Sequence, residues 1–137
     1  MGQRVKEMKE KPTIVSTNTV AASRLFAVEQ VDLRFSNGET RQFERINGHR
    51  SGDVVSVMMV PCLDSETLLL VREYGVGVEG YTLGFPKGAV DKGEAVAVAA
   101  QRELQEEIGY GAKTLTPMCQ LSPSPAYISG HMHVFLA

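Results

Sequence analysis

The sequence predicts an α/β fold in one domain, a mixed-sheet α/β/α sandwich with strands arranged around one helix. Three observations carry this reading. Short apolar runs bounded by turn formers recur along the chain. An Asn37-Gly38 pair separates two alternating segments. One alanine-rich segment carries apolar side chains at helical spacing and is closed by Gly109. With 137 residues, 43% of them hydrophobic, the chain can bury one stable core and has no room for a second full domain.

Taken in order, residues 1–19 open with MGQRVKEMKEKP, charged and followed by no apolar stretch. This reads as a solvated N-terminal arm rather than a secretion signal, and the domain is assigned to residues 20–137. Residues 20–46 alternate polar and apolar around Asn37-Gly38, which predicts an antiparallel hairpin whose tight turn needs positive φ at both central positions. VVSVMMV (54–60) and TLLLVREY (67–74), joined by a polar turn with Asp64 and Ser65, read as buried strands in the middle of the sheet. TLGFP (82–86) is extended and stops at Pro86, and KGAVDKGE after it predicts a loop leading into a helix. The helix is placed at residues 94–108, with Val96, Ala100, Leu104 and Ile108 along one stripe. LTPMCQLS and HMHVFLA are two further strands around the turn-rich SPSPAYISG. A chain ending on a core strand is expected to be C-terminally incomplete, with a second helix past residue 137.

The formal net charge of −2 argues against a surface built to bind nucleic acid or anionic membrane, so a phosphate-bearing ligand needs a local device. No apolar run approaches the roughly 20 residues that span a bilayer, and a cytoplasmic location is expected. Cys62 and Cys119 lie inside separate apolar runs and read as reduced core thiols. His49, His131 and His133 show no ligand spacing with cysteines or acids and read as structural.

The helix carries a conflict. At ~100° per residue, Glu103, Glu106 and Glu107 fall in one arc, in the last turns before Gly109, where the helix dipole disfavours acids. The bland alternative is a solvated face of good helix formers. A hard divalent cation held by oxygen ligands resolves the conflict instead. Arg102 stands four residues before Glu106, close enough to orient its carboxylate, and Gly88 and Glu94 precede at fixed distances in a turn-rich loop.

Residues 88–110, GAVDKGEAVAVAAQRELQEEIGY, resemble the Nudix box, G-x5-E-x7-R-E-U-x-E-E-x-G-U. Gly88, Glu94, Arg102, Glu103, Glu106, Glu107 and Gly109 all fall in register, with Leu104 and Tyr110 at the bulky apolar positions. Tyr110 stands where an aliphatic residue is usual. The resemblance implies the Nudix fold, with a loop-helix-loop catalytic motif, and magnesium-dependent hydrolysis of a diphosphate, with manganese as a substitute metal. It further implies Glu103 and Glu107 as principal metal ligands, Glu106 as a further ligand or catalytic carboxylate, a backbone carbonyl near Lys87 or Gly88 completing the site, and Glu94 and Arg102 as supports. The catalytic base is either Glu106 or a glutamate on a loop past residue 137. Gly88 is explained either by a glycine-only conformation or by close approach of the chain to the metal.

KPTI (11–14), SRLFAVEQVDLRFSNG (23–38), FERI (43–46), VREYGVGVEGYTLGFPKG (71–88) and LSPSPAYISGHMHV (121–134) also resemble the ADP compounds hydrolase and ADP-ribose pyrophosphatase branch. That resemblance implies action on ADP-ribose, NADH and diadenosine polyphosphates with release of AMP. It also implies a homodimer in which the N-terminal strands of one subunit help build the other's site. Arg45, Arg72, Glu73 and Lys87 are then candidate substrate contacts, and Tyr127 either stacks on a base or caps the core. Gly84 departs from the acidic residue that many ADP-ribose pyrophosphatases carry before the F-P or L-P pair. A hydrolase of another nucleoside diphosphate derivative, such as a sugar nucleotide or an oxidised nucleoside triphosphate, is the alternative. From another class, so is a Nudix-fold sensor that binds without cutting; such modules tend to lose box carboxylates, and here all are present.

Overall fold

The computed structural model describes residues 10–48 and 54–137. Nine strands and one α-helix are found there, in two compact units. The first unit has one sheet and the second has two.

The first unit holds β1 (Thr13–Ala22), β2 (Phe26–Arg34) and β3 (Thr40–Gly48) in an antiparallel sheet of order β1-β2-β3, together with residues 126–129. β1 crosses the boundary drawn at residue 19, so 13–19 belong to the sheet rather than to an arm. The expected hairpin forms, with Phe26 opposite Gly48 and Arg34 opposite Thr40. Its turn differs from the one expected. Gly38 alone takes positive φ, at 85°, while the Gly38 N–H donates to the Phe35 carbonyl and the Phe35 N–H to the Glu39 carbonyl. That is a three-residue loop with glycine in the left-handed position. Asn37 instead uses its side-chain oxygen to accept the Glu39 N–H at 3.0 Å.

In the second unit, β4 (Val54–Val60) lies in the middle of a four-stranded sheet of order β7-β4-β9-β8. β7 (Lys87–Ala89) and β8 (Thr116–Leu121) form its edges, and β9 (Gly130–Leu136) runs parallel to β4. The sheet is therefore mixed. β5 (Val71–Gly75) and β6 (Gly80–Gly84) form a separate two-stranded ribbon around a short 3-10 turn at Val76–Val78. The middle-strand expectation thus holds for β4 and fails for 67–74. That segment begins its ladder only at Val71, and Leu68 and Leu70 are exposed, because a two-stranded ribbon offers only one neighbour and no covering layer. Lys87–Ala89, expected as loop, is a strand: Ser56, Val57 and Met58 pair with Ala89, Gly88 and Lys87, and the Met59 N–H donates to the Pro86 carbonyl at 2.9 Å.

The helix α1 (Val96–Ile108) packs on this sheet. Ala99, Ala100 and Leu104 meet Val57 and Met59 of β4 and Phe135 of β9, with Val96 and Ile108 at the rim. The two alanines let helix and sheet approach closely. Gly109 ends the helix in the left-handed conformation at φ 74°, its N–H donating to the Gln105 carbonyl. Leu104→Ala would leave a void beneath α1, since Leu104 is fully buried. A loss of about 3 kcal/mol in unfolding free energy is expected by denaturant titration; a loss well under 1 kcal/mol would place that side chain outside the core.

The cysteines are both reduced but exposed, not core thiols. Cys119 is on the edge strand β8, next to a register irregularity, and Cys62 falls just after β4. The rings of His131 and His133 pack edge to face at 5.8 Å; His49 lies outside the described residues. No helix among the described residues is long and apolar enough to cross a membrane.

Candidate active site

The site is assembled where β7 meets α1. Because β7 is pinned to β4 and α1 is packed over β4, two backbone segments with no direct hydrogen-bond ladder between them are held in fixed register. Gly88 lies under the helix. A Cβ built on it would fall on the carboxylate of Glu103. Gly88 is not among the glycines with positive φ, so close approach explains it rather than a special backbone conformation, and what approaches is the Glu103 carboxylate.

Arg102 is the hub of the loop and helix. Its Nε and Nη2 donate to both Glu94 oxygens at 3.0 Å, its Nη2 also donates to the Ala89 carbonyl at 3.0 Å, and its Nη1 donates to Glu103 Oε1 at 2.6 Å. The paired geometry with Glu94 matches the guanidinium fork to a carboxylate. Glu94, expected as the first helical residue, lies two residues before α1, where it also accepts the Asp91 N–H at 3.0 Å. Closing this loop engages its side chain, so Ala95 takes the helix N-cap position without a side-chain cap. The hydrogen bonds from Arg102, then that from Asp91, hold the Glu94 carboxyl below its ordinary range, while Glu94 and Glu103 keep Arg102 firmly protonated.

The three acids of the helix arc have different surroundings. The Glu103 side chain is largely buried against Gly88 and Arg102. Glu106 is exposed, with Arg102 at 3.4 Å. Glu107 accepts the backbone N–H of Lys87 at 3.1 Å. Among the described residues no three acidic, histidine or cysteine groups are gathered closely enough to grip an ion, and Arg102 engages both Glu103 and Glu106. Two features nonetheless suit a hard cation. Burial pushes the Glu107 carboxyl up, and the nearby charge of Glu103 adds to this against the Lys87 N–H, so a positive charge there restores the ionised form. The donor set is also all carboxylate, the chemistry magnesium prefers.

Of the expected substrate contacts, Lys87 and Glu73 pair at 3.0 Å beside Glu107. Arg72 and Glu73 are neighbours on β5 and project to opposite faces. The Arg72 guanidinium lies over the Tyr81 ring at 4.4 Å, and Arg72 also lines a cleft of about 400 Å³ with Glu107, Ile108 and Tyr110. Arg45 belongs to the first unit, where it donates to Glu29 at 2.8 Å. Tyr127 is exposed and so does not cap the core. Two supports had no signal in the sequence: the Ala89 carbonyl, and Gln101, whose amide both donates to and accepts from Ala112 at 2.7 and 3.0 Å and fixes the chain after the helix.

Residues 52–136 match the NUDIX domain, and residues 12–45 match the NudE-type Nudix hydrolase N-terminal domain. With the box residues arranged as above, the chain belongs to the Nudix hydrolase family. Within it, the chain is 52% identical over 128 residues to the ADP compounds hydrolase NudE of Escherichia coli (strain K12), covering 93% of this chain and 67% of that protein. It is 31% identical to the ADP-ribose pyrophosphatase of Bacillus subtilis (strain 168), covering 87% of this chain and 64% of that protein. A crystal structure of an ADP compounds hydrolase superposes with a TM-score of 0.83 at 50% identity, covering 96% of this chain and 69% of the other. The chain thus spans about two thirds of the length of these relatives.

Proposed function

We propose that this Nudix hydrolase cleaves the diphosphate linkage of ADP-linked compounds such as ADP-ribose, NADH and diadenosine polyphosphates, releasing AMP, with magnesium or manganese as cofactor. The observation that carries this reading is the pairing of Glu103, lodged on Gly88, with Glu107, held by the Lys87 N–H, on a frame fixed by Arg102 and Glu94. Similarity to proteins named for ADP compounds and ADP-ribose supports the choice of substrate.

Bound magnesium would neutralise the diphosphate and supply an activated water. Glu103 and Glu107 would hold it, and Glu106, exposed beside them, would serve as a further ligand or orient the water. Arg102 does not touch substrate in this scheme; it fixes where Glu103 stands. Lys87 presents its ammonium to a phosphate, and Arg72 lines the cleft beside Glu107. A homodimer in the cytoplasm is the proposed setting, in which the N-terminal strands, with Arg45, contribute to substrate binding. Exposed Ile14, Val15, Val20 and Phe43 on that sheet support such an association.

The test is a panel of ADP-ribose, NADH, diadenosine polyphosphates, sugar nucleotides and oxidised nucleoside triphosphates, incubated with magnesium and resolved by chromatography. AMP released from the ADP-linked members is the expected result. Cleavage confined to sugar nucleotides without AMP would overturn the substrate assignment, and ADP-ribose binding with no cleavage of any compound would make the protein a sensor.

A further inference from the structure

Glu73 poses a difficulty as a substrate contact. A carboxylate brought up to a diphosphate repels it, and Glu73 already stands close enough to Glu107 to act electrostatically on that carboxylate. Its side chain is engaged instead with Lys87, Nζ to Oε2 at 3.0 Å. Lys87 acts on Glu107 through its charge, and its own backbone N–H donates to that carboxylate. The ammonium therefore rises from the same residue that holds a metal-binding acid in place. What a lysine lacks there is direction: four rotatable bonds let the ammonium sweep through solvent, and both side chains of the pair are about half exposed.

We propose that Glu73 is a positioning residue, which holds the Lys87 ammonium over the place where the substrate diphosphate lies and does not itself bind substrate. The inference rests on the reading of Lys87 as a phosphate contact. β5 supplies the tether and β7 the ammonium, and the two strands meet through side chains without sharing a ladder. The Glu73–Lys87 pair thus couples the β5–β6 ribbon to the catalytic strand.

A double-mutant cycle on the whole chain with ADP-ribose and magnesium tests it. Lys87→Met is expected to raise KM about tenfold, the scale of one charge-assisted hydrogen bond. Glu73→Gln is expected to raise KM about two- to fivefold with kcat little changed, the range of an exposed ion pair. Added to Lys87→Met, the second substitution should change KM no further. An undiminished effect of Glu73→Gln in that background, or a lowered KM from Glu73→Gln alone, would overturn the inference; the latter marks Glu73 as repelling the substrate. A wild-type KM in Lys87→Met removes the phosphate role of Lys87 and the inference with it, while leaving AMP release by the native enzyme intact. Failure of the native enzyme to release AMP sinks the proposed function itself.

Discussion

Glu107→Gln should abolish nearly all turnover while leaving the fold as stable as before, or more so, when no metal is present. The amide oxygen can still accept the Lys87 N–H, so the local hydrogen bond survives. What is lost is a charge that magnesium would use. We expect kcat to fall by roughly 10²- to 10³-fold, the scale on which removing one electrostatic stabiliser acts, with nucleotide binding in the absence of metal largely retained. The stability side follows from the direction of the Glu107 shift. A carboxyl whose folded-state pKa is raised stabilises the fold below its ordinary pKa, and that contribution is lost as pH rises through the higher folded value. At neutral pH without metal the ionised Glu107 is therefore a burden, which the neutral amide removes. Magnesium should raise the melting temperature of the native chain and leave the variant nearly unmoved. Wild-type turnover in Glu107→Gln would end the assigned ligand role.

Gly88→Ala is the second large effect, and it separates function from folding. The added methyl falls on the far end of the Glu103 side chain, which must swing off its bond from Arg102 to make room, while the backbone at position 88 needs no left-handed conformation. Thermal stability should fall by no more than the loss of that one charge-assisted hydrogen bond, about 1.5–3 kcal/mol, with the chain still folded. The carboxylate that swings away is, however, one of the two principal metal ligands. A rise in the magnesium concentration needed for activity and a fall in kcat of about 100-fold or more are expected, measured by metal titration of AMP release. A variant with normal activity would show that Glu103 functions from another position.

The contrast between these positions and the rest of the chain shows what the sequence made legible. The acids at 103, 106 and 107 were readable because helical spacing stacks them and because Gly109 and the alanine-rich segment mark where the helix lies, whereas Gly88 and Glu94 were placed by the resemblance to the box. β4 and β9 were readable as apolar runs. β7 was not, since Lys87–Ala89 owes its extended form to β4 and not to any local preference, and its glycine and lysine read as a turn. The same holds for β5, whose apolar approach through Leu68 and Leu70 looked buried although no layer covers those side chains in this unit. β1, where three threonines, a serine and an asparagine break up the apolar residues, showed no clear alternation and takes its place by pairing with β2. Glu94 was legible as a motif position but not as the acceptor that closes the loop on Asp91 and Arg102. Arg72 and Glu73 were named together through the resemblance, and nothing in the sequence signalled that one would lie over Tyr81 and the other pair with Lys87.

The parallel pairing of β4 with β9 has a bearing on synthesis. Every box residue is translated before β9, yet the platform under α1 needs Phe135, and β4 gains its second neighbour only when Gly130–Leu136 has been made. A ribosome-bound nascent chain halted in the loop before β9 would carry the full set of acids on a helix without its floor. Contacts so far apart in sequence form late, so the box acids gain their fixed placement only after β9 has added to β4.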